Sequence, residues 1–419
     1  MTRTPSSTTT ESPTLITAAR VITRPEDPPL VEAGVLVAGD TIKAVGPIDE
    51  LVAAAPEVPR LDFPDGTVVP GLINAHVHLA FDVATDPRTA LESRDVSAIR
   101  QTISRNARAV LEGGVTTVRD LGDLDGMVAS FRDEVSVGDA LGPRVLSAHA
   151  PLTPPKGHCW FLGGEVDTAP SGTVESERVI RAAVDDLADA GADVIKVMAS
   201  GGNLTPAGAP MWKSQFTQHD LETIVAAAHE RGLPVAGHAH GTDAMLMCAR
   251  AGVDTIEHGS WRGRPDPDGS NTYDTRADVA SAIAEAGIVL VPTRSRGWEG
   301  WPEEARLDLQ LEHLAWGAEH GIRMIAGNDA GVGRDEFDDL VDAITMFGAA
   351  GWSPAEALAT ATTRAAAALG LSSRLGHLAS GAAADLVVLG ANPLDDLHAL
   401  KQVRQVMVGG RLLSPTAPL

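Results

Sequence analysis

The 419-residue sequence predicts an α/β protein: a parallel (β/α)8 barrel (a TIM barrel) of about residues 70–372, with a small β-sandwich domain built from both chain ends. Three observations carry this. Short apolar runs alternate regularly with helical patterns through the middle of the chain, no GxGxxG turn follows the first of them as an open nucleotide-binding sheet would favour, and β-like runs broken by Gly and Pro recur at both ends. The expected boundaries are 1–13 as a disordered N-terminus, 14–69 plus 373–419 as the sandwich, and 70–372 as the barrel.

At the N-terminal end LITAARVI, GVLVAGDTIKAVG and TVVP read as strands, and GHLASGAAADLVVLG with VRQVMVGGRLL matches them near the C-terminus. The barrel opens on VVPGLINAHVHL (68–79), in which a Pro-Gly break and an apolar run lead to two histidines one residue apart. Alternate residues of a strand share a face, so His76 and His78 point the same way and can grip one cation. Ile99, Ile103, Ala107, Val110 and Leu111 then recur at helical spacing, and Gly113-Gly114 stops that helix before the β-branched strand VTTVRD. RVLSAHA, DVIKVMASGG, LPVAGHAHG, VDTIEHG, IVLVPTR and RMIAGNDAG complete eight strands, with helical patterns such as Val179–Ala190 and Leu221–Glu230 between them.

Composition limits the function. Lys plus Arg number 33 and Asp plus Glu 56, a net charge of −23, so nucleic acid and anionic membrane are not expected partners. Two distant cysteines, Cys159 and Cys248, suggest neither a disulfide framework nor a thiolate zinc site. The start lacks the apolar core of a signal peptide and no run is long enough to span a bilayer, so a cytoplasmic protein is expected.

Active sites of such barrels lie at the strand C-termini, so polar residues ending apolar runs are the informative ones. These are His76 and His78 of strand one, Lys196 within strand four, His238 of strand five, His258 of strand six and Asp329 of strand eight. Four imidazoles, a carboxylate and a lysine suit a shell for two metal ions. A non-catalytic scaffold on the same barrel is the contrasting expectation, but no member of the set is missing.

NAHVHL, the lysine of DVIKVMASGG, HAHG, IEHG, GNDAG and the C-terminal GHLASGAAADLVVL followed by NPL together resemble the amidohydrolase superfamily over nearly the whole chain. Their order is most similar to the branch of Xaa-Pro dipeptidases, Xaa-Arg and Xaa-Lys carboxypeptidases and ochratoxin-hydrolysing amidases, with imidazolonepropionase more distant. The resemblance implies that His76, His78 and Asp329 hold one divalent ion, zinc being expected, and that His238 and His258 hold a second. Lys196 would bridge them as a carboxylated lysine, since burial among apolar neighbours favours the neutral amine that adds carbon dioxide.

The chemistry expected is hydrolysis of an amide in an N-acyl amino acid, dipeptide or aromatic amide by a hydroxide bridging the metals, with Asp329 as proton shuttle. Opening of a cyclic amide or imidazolone, and lactone or phosphotriester hydrolysis, remain alternatives on the same site. Deamination is disfavoured, because HAHG stands where mononuclear deaminases place a glutamate. The resemblance implies that His158, in GHCWF, and His240 contact the substrate near the scissile carbonyl or its terminal carboxylate, although His240 departs from the HAY pattern of related dipeptidases. Cys159 beside His158 is not read as a nucleophile. Trp160, Trp212, Trp261, Trp298 and Trp301 fall in loops on the active-site side, and Trp160 and Trp212 are expected to line an aromatic mouth. Arg294 and Arg296 are expected to pair with a substrate carboxylate. Gly201-Gly202 reads as a tight turn over the metals and not as a phosphate cradle, and members of this branch imply a homo-oligomer.

Overall fold

A computed structural model describes residues 12–83, 86–205, 208–270, 272–293, 307–332 and 336–413. The chain divides into two compact units, one drawn from its two ends (up to Leu72 and from Pro354 on) and one formed by Ile73–Ser353.

The first unit begins with β1 (Thr14–Val21), β2 (Leu30–Ala38), β3 (Thr41–Pro47) and β4 (Arg60–Pro70). Gly39, at φ +60°, makes the tight reversal between β2 and β3 that a side chain would disfavour. The middle unit contributes β5 (Leu72–Val77), β6 (Val115–Asp120), β7 (Arg144–Ser147), β8 (Ile195–Met198), β9 (Val235–Gly241), β10 (Thr255–Arg262), β11 (Val289–Val291) and β12 (Arg323–Met324). The chain then returns to the first unit with β13 (Leu386–Leu389), β14 (Val403–Val408) and β15 (Arg411–Leu412).

The strands of the two ends are joined in one seven-stranded sheet of order β15-β14-β13-β4-β1-β2-β3. Strands from the two ends of the chain thus share a single hydrogen-bonded ladder. Antiparallel pairing of β13 on β4, with Val387 opposite Val69, ties the ends together. Ile16, Val35, Val37, Ile42, Val68, Leu386 and Val388 form its apolar core.

In the middle unit β6 pairs parallel with β7, and β8 to β12 pair parallel in sequence order. They form a three-stranded sheet, β5-β6-β7, and a five-stranded one, β12-β11-β10-β9-β8. Single backbone bonds cross between the two on both sides. Leu152 N–H donates to Lys196 O and Met198 N–H to Leu152 O, while Ala75 N–H donates to Ala326 O and His78 N–H to Ala330 O.

A helix follows every one of these strands: Val96–Glu112, Met127–Val137, Val174–Asp189, Gln218–Glu230, Thr242–Ala251, Ala277–Glu285, Leu307–Glu319 and Leu340–Ala349. The helix after β7 starts at Val174, well before the apolar pattern begins, because Thr173 and Ser176 form a capping box that satisfies its first amides. Glu112 ends the helix after β5, and Gly113 caps it. β6 and β8 are buried along their whole length, as parallel strands covered on both faces are. Their charged residues, Arg119, Asp120 and Lys196, are therefore costly unless the fold uses them. No helix among the described residues is long and apolar enough to cross a membrane.

Candidate active site

The ends of β5, β8, β9 and β10 and the segment after β12 meet in one cavity open to solvent. His76, His78, His158, Lys196, His238, His240, His258 and Asp329 all line it. Strand alternation brings His76 and His78 to the same side, and Asp329 reaches them because its amide donates to His76 O at 3.0 Å. His258 and Asp329 adopt left-handed backbone conformations, φ +71° and +56°, which L-residues hold only where the surroundings enforce them.

Among the described residues, two groups of ligand-type atoms each lie within 4.8 Å of one another: His76, His78 and Asp329, and His238, His240 and His258. In the first, each imidazole has its Nδ1 occupied. His76 Nδ1 lies 2.8 Å from Glu257 Oε2 and His78 Nδ1 lies 3.1 Å from Gly122 O, both acceptors, so each Nδ1 carries the proton and each Nε2 is bare. Both Nε2 atoms then face Asp329 Oδ1 at 3.2 Å. That oxygen is buried and lacks a well-formed hydrogen bond to either ring. Three lone-pair donors turned toward one point repel each other unless a cation lies among them, so these residues fit a divalent metal. A proton is the lesser substitute: burial lowers the His78 pKa, but the Asp329 carboxylate outweighs it and raises the value overall.

In the second group His238 Nε2 lies 3.2 Å from Gly201 O, leaving Nδ1 bare, and His258 Nδ1 lies 2.6 Å from Thr293 Oγ1. Burial first, then the surrounding imidazoles, push both pKa values well below the usual histidine range, so both rings are neutral and able to ligate. His240, read from the sequence as a substrate contact, sits with these two as a third imidazole; its Nδ1 is 2.9 Å from Ser260 Oγ and its ring stacks on His258.

Lys196 is buried in β8 between Ile195 and Val197 and lines the same cavity. Burial lowers its pKa to about 8, against the opposing pull of Glu257 and Asp329. A drop from 10.5 to about 8 corresponds to roughly 3 kcal/mol favouring the neutral amine, the form that reacts with carbon dioxide.

His158 is also buried, its ring 4.7 Å from that of His238 and its Nδ1 without a partner. Burial and the Lys196 charge bring its pKa down to about 4. Gly202 lies against this ring, and a Cβ there would come within 2.4 Å of His158 Nε2. The Gly201-Gly202 turn therefore serves both histidines: Gly201 gives a carbonyl to His238, and Gly202 gives room to His158. Cys159 is buried and its thiol is pushed up to about 12 by burial, so it stays protonated.

The tryptophans are placed elsewhere. Trp160 lies under the Arg88 guanidinium and Trp212 under that of Arg264, and neither lines the histidine cavity, whose apolar wall is Met198, Leu204, Met211 and Val332. Trp261 is buried edge-on to Trp316. Arg294, Arg296, Trp298 and Trp301 lie outside the described residues.

Several supporting residues escaped the sequence reading. Glu257 joins His76 to Arg119, whose Nη2 donates to Glu257 Oε1 at 2.7 Å. Burial raises the Glu257 pKa, but Arg119 and His76 more than reverse this and leave it at about 2. Asn74 Nδ2 donates to Asn328 Oδ1 at 2.7 Å, and Asn328 Nδ2 donates to Asp339 Oδ1 at 2.7 Å. The available signal was polarity inside apolar strands: Glu257 in TIEHG, Arg119 in VTTVRD, and the asparagines two before His76 and one before Asp329.

Residues 67–413 match the model of the amidohydrolase family. The ochratoxinase of Aspergillus niger is 28% identical over 386 residues, covering 82% of this chain and 75% of that protein. A crystal structure of a Xaa-Pro dipeptidase with bound methionine in the active site superposes with a TM-score of 0.80 at 26% identity, covering 96% of this chain and 100% of that one. An adenine deaminase of Chelativorans sp. is 26% identical over 422 residues, covering 96% of this chain and 58% of that protein.

Proposed function

Since the chain belongs to the amidohydrolase family and is a hydrolytic enzyme acting on carbon–nitrogen bonds, we propose that it is a binuclear metalloenzyme cleaving the amide of an N-acyl amino acid, dipeptide or aromatic amide. The observation that carries this reading is the pair of ligand groups sharing one cavity with a buried lysine of lowered pKa. His76, His78 and Asp329 would hold one ion, zinc by our reading, and His238 and His258 the other. Lys196, having lost a proton and gained carbon dioxide at Nζ, would offer a carboxylate to both. Bound cations would polarise the scissile carbonyl and supply a nucleophilic water at neutral pH.

The protein's own groups do the rest. Asp329 accepts the proton of the attacking water on its carboxylate and returns it to the leaving amine nitrogen. His158, neutral at pH 7 because its pKa is about 4, donates its N–H to the carbonyl oxygen as negative charge develops there. His240 approaches the same oxygen or completes the second ligand group. Glu257 fixes the tautomer of His76, and Arg119 fixes Glu257. We read the two parallel sheets as one closed eight-stranded barrel, supported by the backbone bonds across both joins, and the terminal sheet as curling over its apolar face into a sandwich.

The test is a screen of metal-reconstituted protein against N-acyl amino acids, Xaa-Pro and Xaa-Arg dipeptides and aromatic amides, reading acid and amine products by mass spectrometry. Chelator-sensitive release of an amine is expected. Ammonia released from adenine with no amide cleaved would favour deamination instead.

A further inference from the structure

The cavity holds one more charged side chain that neither metal binding nor proton transfer uses. Arg262, at the end of β10, lines the cavity with His258 and Ser260 of the same strand. Its guanidinium carbon lies over the ring of Tyr273, 4.5 Å from the centroid. Its Nε and Nη1 are buried and make no hydrogen bond among the described residues. Arg119, by contrast, is anchored to Ala75 O, Thr255 and Glu257. A buried guanidinium with an unfilled edge is unfavourable unless a ligand completes it.

Charge indicates which ligand. The chain as a whole carries −23, yet among the described residues Asp329 is the single Asp or Glu lining this cavity. Asp329 is already committed to His76 and His78, so no described residue of the wall balances Arg262. The Nε–Nη edge of a guanidinium matches the two oxygens of a carboxylate, a fit that an ammonium lacks.

We infer that Arg262 is the binding residue for a carboxylate on the leaving-group side of the scissile amide, which makes the substrate an N-acyl amino acid or dipeptide with a free carboxyl terminus and not a neutral aromatic amide. The inference rests on the amide-hydrolase reading and narrows it. Arg294 and Arg296, expected from the sequence to pair with a carboxylate, lie outside the described residues. In an N-acyl amino acid the carboxylate stands two bonds beyond the leaving nitrogen, so an anchor beside His258 and Ser260 would turn the scissile carbonyl toward the histidines.

The experiment uses matched pairs: N-acetyl amino acids with apolar or basic side chains, and the carboxamide of each. Binding to the metal-reconstituted full chain is followed by calorimetry, and turnover by amine release. Wild type is expected to favour at least one acid over its carboxamide by about 100-fold in kcat/KM, a site built for a polar group rejecting the analogue that lacks it. In Arg262→Met that ratio should collapse toward one, chiefly through a rise in KM for the acid, and Arg262→Lys should fall between. Metal content of each variant reports that the fold and metal groups persist. If no acid binds more tightly than its carboxamide, or if the ratio survives in Arg262→Met, the assignment is overturned. Carboxamides cleaved as fast as acids would overturn it while leaving amide hydrolysis standing; acids that bind through Arg262 but are never cleaved would support it and overturn the hydrolase reading instead.

Discussion

At the scale of single residues, function depends on nitrogens whose protons are fixed by their neighbours. His76 is the clearest case, with Nδ1 held by a glutamate that is itself held by Arg119. Glu257→Gln keeps the shape but can present an N–H to His76 where an acceptor is required, so metal affinity at that group should fall about 10–100-fold, measured by competition with a chelator. Lys196 gives a pH dependence. Its amine has a pKa of about 8, so roughly a tenth is neutral at pH 7 and nine-tenths at pH 9. Reconstitution of metal-free protein at fixed dissolved carbon dioxide should therefore accelerate about tenfold between those values; a rate that falls with rising pH would contradict the carbamate. Glu257 and Arg119 were not legible as functional from the sequence because their role lies in hydrogen bonds between β6 and β10, strands far apart in the chain, and spacing along one strand says nothing of a partner on another.

At the scale of elements, the segment after β12 must present Asp329 beside two strand-borne histidines although β12 itself is only Arg323–Met324. Asn328 does this work: its Oδ1 receives Asn74 Nδ2 and the Ala330 amide, and its Nδ2 reaches Asp339. Asn328→Ala would leave these buried groups unpaired, and a loss of about 2–4 kcal/mol in denaturant unfolding is expected, with activity falling further because Asp329 loses its registration. Gly202→Ala is a gentler probe of the loop after β8. The added methyl would collide with His158, so turnover should fall while metal content is retained. The strands themselves were readable because buried parallel strands are continuous apolar runs ended by polar residues, which is how Lys196, His238 and His258 were found. Their lengths were less so: IVLVPTR contains a strand of three residues, Val289–Val291, and Pro292 next to it has no amide N–H to continue the ladder. A large ring after a strand can also carry an arginine, as Trp160 and Trp212 do.

At the scale of the whole molecule, the chain carries a net charge of −23. Long-range repulsion should slow the approach of an anionic substrate, so kcat/KM for an N-acyl amino acid should rise when ionic strength goes from 0.01 M to 0.15 M, where the screening length shortens from about 30 Å to about 8 Å; its carboxamide should show no such rise. The division into two units follows the sequence's own change of rhythm, from short alternating strands at the ends to apolar runs and helices between them. The most direct test of the central claim is anomalous X-ray scattering from crystals of zinc-reconstituted protein. Two peaks about 3.5–4 Å apart are predicted, one among His76, His78 and Asp329, the other beside His238 and His258, with carboxylated density on Lys196 between them. A single peak, or none, with an unmodified lysine amine would contradict it.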